Sequence, residues 1–147
     1  MMITVCCSLS FSDEAIKIEK SLKKLDFDPY IPFTIYDCKS KGIKDIKQWI
    51  SDFIKKDPGG FDQLKKDRME MHYKKVAASD AILVLNYDKK GIKNYIGANT
   101  LLEMGLAFWL KKRIYLLNPI PEELDYAEEI KGMKPVVIND DLSLIKL

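Results

Sequence analysis

One carboxylate stands apart in this sequence. Glu103 lies within Gly97-Ala98-Asn99-Thr100-Leu101-Leu102-Glu103-Met104-Gly105-Leu106-Ala107, a stretch with no other charge. A glutamate one turn into an apolar helix is expensive to bury unless it is paired or used. Two readings follow from the spacing. Thr100-x-x-Glu103 has the form of a capping box, in which each side chain bonds the other residue's backbone N–H. Alternatively, Glu103 is an ionised carboxylate that attacks or stabilises an electron-poor carbon. Removing a cap costs about 1 kcal/mol of stability; removing a nucleophile abolishes turnover.

Other residue types bound the chemistry. Ser8, Ser10 and Ser12 follow an apolar run and precede a helical stretch. Such a turn can offer backbone N–H groups to an anion, and its plain alternative is a capped helix start. It lacks the glycines of a dinucleotide fingerprint and the GK[ST] of a P-loop. His72 is the only histidine, so a Ser-His-Asp hydrolase would need it as base, and multi-histidine metal sites are excluded. No metal and no organic cofactor are expected. His72 shares a helical face with Met69, Tyr73 and Val76. It is either a core histidine with one hydrogen bond or a ligand contact at a crevice. The three cysteines, Cys6, Cys7 and Cys38, are odd in number and make no disulfide framework, which fits a reducing cytoplasm.

Composition narrows the class further. The chain has 147 residues, 47% of them hydrophobic, with 24 basic against 22 acidic side chains and a net charge of +2. That fits one domain with a real core, excludes disorder, and is too nearly neutral for an electrostatic nucleic-acid binder. Arg68 and Arg113 are the only arginines, so a site built on bidentate arginine clamps is not expected. The lysine pairs read as solvated faces, with Lys89, Lys90 and Lys93 as candidates for attracting a phosphate. The start has no basic n-region, and no window approaches the roughly 18 apolar residues of a membrane span.

The elements that must position these residues follow from periodicity. Strands are expected at Met2–Cys7, Ile31–Tyr36 (interrupted by Pro32, hence at an edge), Ala81–Asn86, Arg113–Leu117 and Pro135–Ile138. Helices are expected at Ser12–Asp26 with Ser12 as N-cap, Ile43–Ile54, Phe61–Ala78, Asn99–Leu110 and Glu122–Lys131. Asp57-Pro58-Gly59-Gly60 reads as a turn, and Tyr87–Ala98 as a long polar loop. Five apolar runs separated by helices indicate an α/β fold: a single doubly wound, flavodoxin-like or Rossmann-like domain with a five-stranded parallel sheet and helices on both faces. In such sheets a ligand sits at the carboxyl ends of the strands. That selects Cys7–Ser12, Asp37–Lys44, Asn86–Ala98 and Asn118–Pro121.

At these residues the chain resembles a known family. Ser79-Asp80-Ala81-Ile82-Leu83-Val84-Leu85-Asn86, then Gly97-x-Asn99-Thr100-x-x-Glu103-x-Gly105-x-Ala107, then Ile114-x-Leu116-Leu117-Asn118-Pro119, is similar to the nucleoside 2-deoxyribosyltransferase-like superfamily, which includes 2'-deoxynucleoside 5'-monophosphate N-glycosidases. Cys7-Ser8-x-Ser10-Phe11 resembles that family's Gly-Ser turn after the first strand. The resemblance implies that Glu103 attacks the anomeric carbon of a nucleoside or nucleotide and forms a glycosyl-enzyme, passed to a nucleobase or to water. It implies sugar or phosphate contacts at Cys7, Ser8, Ser10 and Phe11, further contacts at His72, Asp80, Asn86, Gly97, Asn99 and Asn118, and a homodimer or higher oligomer. Asp88 is the candidate leaving-group acid. Transferases carry an aspartate six residues before the glutamate, where this chain has Gly97, so hydrolysis is favoured over transfer. His72 stands where the family often has a sugar-binding aspartate. The alternatives are a nucleotide-binding or sensing module without turnover and, more weakly, a structural dimer on the same fold.

Overall fold

The computed structural model describes residues 1–146. Five parallel strands, β1 (Met2–Cys7), β2 (Asp28–Tyr30), β3 (Ala81–Leu85), β4 (Arg113–Leu116) and β5 (Val136–Val137), form one sheet in the order β2-β1-β3-β4-β5. The helices are α1 (Ser12–Lys24), α2 (Phe33–Ser40), α3 (Ile46–Lys56), α4 (Pro58–Ala78), α5 (Ala98–Trp109) and α6 (Ala127–Gly132). After β2 the chain crosses to the other side of β1, so the strand order reverses between β1 and β3. A crevice must open there, outside their carboxyl ends. The expected doubly wound α/β architecture is the one observed.

Period-2 alternation explains why the strands read as continuous apolar runs. Ile3, Val5 and Cys7 of β1, with Ala81, Leu83 and Leu85 of β3, pack with Ala15, Ile18 and Leu22 of α1 on one face. Cys6, Ile82 and Val84 pack with Val76 of α4, Met104 and Ala107 of α5, and Ile130 of α6 on the other. Both faces are covered, so no position is left for a polar outside.

The structure corrects four expectations. The second strand is Asp28–Tyr30 rather than Ile31–Tyr36; Pro32 with its fixed φ leads instead into α2, because the ring favours a helix start over a ladder. Asp57-Pro58-Gly59-Gly60 opens α4 rather than making a separate turn: the Asp57 carboxylate accepts the Gly60 N–H at 3.0 Å with proline in the first turn, the preferred chemistry of a helix N-terminus. Ser12 is the first residue of α1, and the side-chain cap belongs to Ser8, whose Oγ accepts from the Ser10 N–H at 3.3 Å before a short 3₁₀ turn. The sixth helix begins at Ala127 rather than Glu122, after a turn in which the Leu124 N–H bonds the Pro121 carbonyl.

Since α4 supplies one wall of the crevice, its cap is testable. Asp57→Ala should cost about 1 kcal/mol and lower Tm by about 2–4 °C for a chain of this size, measured by thermal denaturation. An unchanged Tm would show that Asp57 does not hold the start of α4.

Candidate active site

A cleft of about 350 Å³ opens at the carboxyl ends of β1, β2 and β3, a volume suited to a small molecule. One side is the turn after β1. The far wall is one stripe of α4: Phe61, Leu64, Lys65, Arg68, Met69 and His72 recur at the spacing of a single helical face. The start of α5 closes the third side.

Glu103 sits at the base, 3% exposed. It is not a cap. Gly97 is the N-cap of α5 and Thr100 lies within its first turn, buried, so the capping-box geometry does not form. Instead Glu103 Oε1 accepts from Asn99 Nδ2 at 3.0 Å. Oε2 faces His72 Nε2 at 3.6 Å and has no hydrogen-bond partner. Burial pushes the Glu103 carboxyl up to about 8, against smaller opposite pulls from the Cys6 thiol and the Lys65 charge. Burial also holds His72 down at about 4. At neutral pH the pair is therefore a carboxylic acid beside a neutral imidazole, not an ion pair.

The charges around the rim run the other way. Lys47, Lys65, Arg68 and Lys89 line the cleft, and Glu103 is the only acid among its lining residues. Lys89 Nζ donates to Ser8 Oγ at 2.8 Å and stands 5.2 Å from the centre of the Tyr95 ring. Arg68 is held by Asp37 at 3.0 Å and stacks over Phe33, its carbon 4.4 Å from the ring centre; its Nε is buried without a partner. The loop that delivers Lys89 is ordered. Lys89 and Ile92 exchange both backbone hydrogen bonds around Lys90-Gly91, which have φ values of 54° and 72°, the geometry of a tight hairpin turn.

Cys7, Ser8, Ser10, His72, Gly97, Asn99 and Glu103 are brought together on the cleft wall. At Gly97 the backbone passes close to Tyr95: an added Cβ would lie 3.3 Å from the ring, a tight contact to which the tyrosine would have to yield. The remaining candidates lie elsewhere. Asp80 is at the amino ends of the strands, where Oδ2 accepts the Met2 N–H at 2.7 Å. Asn86 and Asn118 tie β3 to the end of β4: Asn86 Nδ2 donates to the Asn118 and Pro119 carbonyls, both at 3.0 Å, and Asn86 Oδ1 accepts the Asn118 N–H at 2.9 Å. Asp88 Oδ1 accepts the Asn94 N–H at 2.9 Å and shapes the hairpin. Phe11 is buried edge-on to Tyr87. Sequence reasoning missed Lys47, Lys65 and Arg68. The signal was the α4 stripe itself, which mixes apolar and cationic residues as a cleft wall does and a core face does not.

No family model and no curated protein matches the sequence. Solved structures do. The 2-deoxyribosyltransferase of the psychrotolerant bacterium Bacillus psychrosaccharolyticus superposes with a TM-score of 0.64 over 100% of this chain and 93% of its own, at 13% identity. This chain has the fold of that enzyme. The CMP N-glycosidase BcmB of Clostridium botulinum superposes with a TM-score of 0.51 over 94% of this chain and 85% of its own, at 15% identity.

The carboxyl of Glu103 links stability to pH. Its folded value, about 8, lies above the ordinary 4.5, so the stability it contributes is complete below about 4.5 and is lost as pH rises through 8. Glu103→Gln removes that slope. In chelator-treated buffer the variant should melt close to wild type at pH 4.5 and several degrees above it at pH 9, since a tenfold change in proton affinity is worth about 1.4 kcal/mol. A constant difference between the two proteins across that range would show that Glu103 is not held neutral by the fold.

Proposed function

We propose that the protein cleaves the N-glycosidic bond of a nucleoside 5'-monophosphate, with Glu103 as nucleophile and water as the favoured acceptor. The observation that carries this reading is a single buried carboxylate at the base of a cleft whose other charged lining residues are all cationic. The fold shared with a deoxyribosyltransferase and a CMP N-glycosidase supports it.

The chemistry follows from the arrangement. Glu103, protonated at rest, gives its proton through solvent to the leaving base, and its carboxylate adds to the anomeric carbon as the C–N electron pair leaves with that base, through an oxocarbenium-like transition state. A low-dielectric surround strengthens the attraction between the carboxylate and that developing positive charge. Asn99 fixes the rotamer by holding Oε1. Water then cleaves the glycosyl ester and frees Glu103. Lys89, Lys65 and the turn at Ser8 and Ser10 carry the phosphate, and Tyr95 offers a face to the sugar or base. With Gly97 in the place of the transferases' aspartate, no second acid holds an incoming base, which favours water.

The protein acts as a homodimer in this reading, through α5, where Leu102 and Trp109 are 54% and 81% exposed two turns apart on one face. The three free, buried cysteines fit a reducing compartment. A second reading, binding without turnover, is favoured by the lack of a second carboxylate on the cleft wall.

The test is free base measured by chromatography after incubation, in chelator, with ribo- and deoxyribonucleosides and their 5'-monophosphates. Wild type should release base from a monophosphate, and Glu103→Ala, folded by circular dichroism, should not. An active Glu103→Ala defeats the assignment, while thermal stabilisation by nucleotide without base release favours the binding module. Lys65→Ala and Lys89→Ala should each raise KM for the monophosphate about tenfold or more, the worth of one charge-assisted hydrogen bond, and leave the unphosphorylated nucleoside nearly unaffected. Equal losses on both substrates would remove the phosphate from the proposal.

A further inference from the structure

Three polar side chains from three elements converge beneath the cleft, and the glycosidic reading uses one of them as a reactant. Cys6 comes from β1, His72 from α4 and Glu103 from α5; all are buried, and their ligand atoms lie within 4.8 Å of one another. Cys6 Sγ is 3.5 Å from His72 Nε2, and that nitrogen is 3.6 Å from Glu103 Oε2. Zinc binds thiolate sulfur at about 2.3 Å, imidazole nitrogen at about 2.0–2.1 Å and carboxylate oxygen at about 2.0–2.2 Å with tetrahedral angles, which separates neighbouring ligand atoms by about 3.4–3.6 Å. The two observed distances match those edges.

A second observation points to a ligand. Glu103 Oε2, the oxygen turned towards His72, is buried with no hydrogen-bond partner. A self-contained hydrogen-bonded cluster would satisfy it; a cation at the centre of the triangle does so directly. Oε1 is already clamped by Asn99, an outer contact of the kind that orients ligating carboxylates. The donor set discriminates among metals, because thiolate, imidazole and a single carboxylate suit zinc and its relatives rather than calcium or magnesium. His72 and Glu103 also line the cleft, so the cleft adjoins the triangle and is the side from which a fourth ligand would come. The single histidine removes multi-histidine sites but not a mixed set such as this one.

We propose that Cys6, His72 and Glu103 bind one zinc-class divalent cation through Sγ, Nε2 and Oε2, with the fourth position open to the cleft. On binding, the Cys6 thiol gives its proton to solvent as the metal–sulfur bond forms. A proton on the Glu103 carboxyl leaves in the same way, and His72 uses its Nε2 lone pair with the proton on Nδ1. No electrons change hands. Binding does not depend on the glycosidic reading. Its consequence for turnover does rest on that reading: a cation on Oε2 holds the nucleophile, so zinc suppresses base release and a chelator restores it.

The experiment uses the full chain, stripped with chelator, dialysed and titrated with cobalt(II) without nucleotide. Wild type should bind one equivalent, with the near-ultraviolet sulfur-to-cobalt charge-transfer band and the intense visible bands of a tetrahedral site, and added zinc should displace it. Cys6→Ser should abolish the charge-transfer band, and His72→Ala should weaken binding at least tenfold, each checked for folding by its melting curve. Cys7→Ser and Cys38→Ser should keep the band. Absence of the band in wild type overturns the proposal whether or not any variant folds, and so does a band that survives in folded Cys6→Ser. Because base release is assayed in chelator and metal binding without substrate, either can fail while the other stands.

Discussion

The desolvation of one carboxylate organises this molecule. Glu103 is buried under the first turns of α5, against β1 and α4, where an ionised group is costly unless something compensates it. The surround compensates only half of it. Asn99, one turn earlier on the same helix, satisfies Oε1, while Oε2 faces an imidazole that burial keeps neutral. The group is therefore held in its protonated form, and a positive charge brought to Oε2 would favour its ionised form. A well-paired carboxylate would be stable and inert; this one stores a preference for a cationic partner.

The rest of the cleft follows from that constraint. The far wall belongs to α4, whose stripe carries the buried His72 and, on successive turns towards its amino end, Arg68, Lys65 and Phe61. Polarity thus runs from a buried acid and imidazole to a cationic lining. The arginine shortage does not leave the cleft without a guanidinium. Arg68 is fixed by Asp37 and by Phe33, so one pre-ordered arginine stands among the lysines that supply the remaining charge.

How far the sequence discloses this depends on the range of the interaction concerned. The strands β1, β3 and β4 and the helix α5 were legible to within a residue or two, because burial on both sheet faces writes itself as short continuous apolar runs. The second strand was not. Ile31 to Tyr36 is apolar enough for a strand, but its neighbour Pro32 starts a helix, and the three residues that do pair with β1 include a proline that only an edge position tolerates. The crevice was legible from topology, and Glu103, Asn99, His72, Gly97 and the Ser8 turn all reach it. Asp80, Asn86 and Asn118 did not follow, although they belong to the same motif. Their side chains stitch strand ends to one another, a task that requires the same residue types as ligand binding and cannot be told from it by spacing. Lys47, Lys65 and Arg68 were hidden for the opposite reason: lysine and arginine on a helix read as solvated until the facing element is known.

The Thr100-x-x-Glu103 spacing shows where a local rule yields to a tertiary one. A capping box needs threonine at the N-cap, but the N-cap of α5 is Gly97, three residues earlier, where an added Cβ would press on the Tyr95 ring at 3.3 Å. With the helix starting there, Thr100 and Glu103 both lie within it, and the glutamate stands beside Cys6 and His72. Gly97, not Thr100, is thus the residue from which the register of α5 is counted.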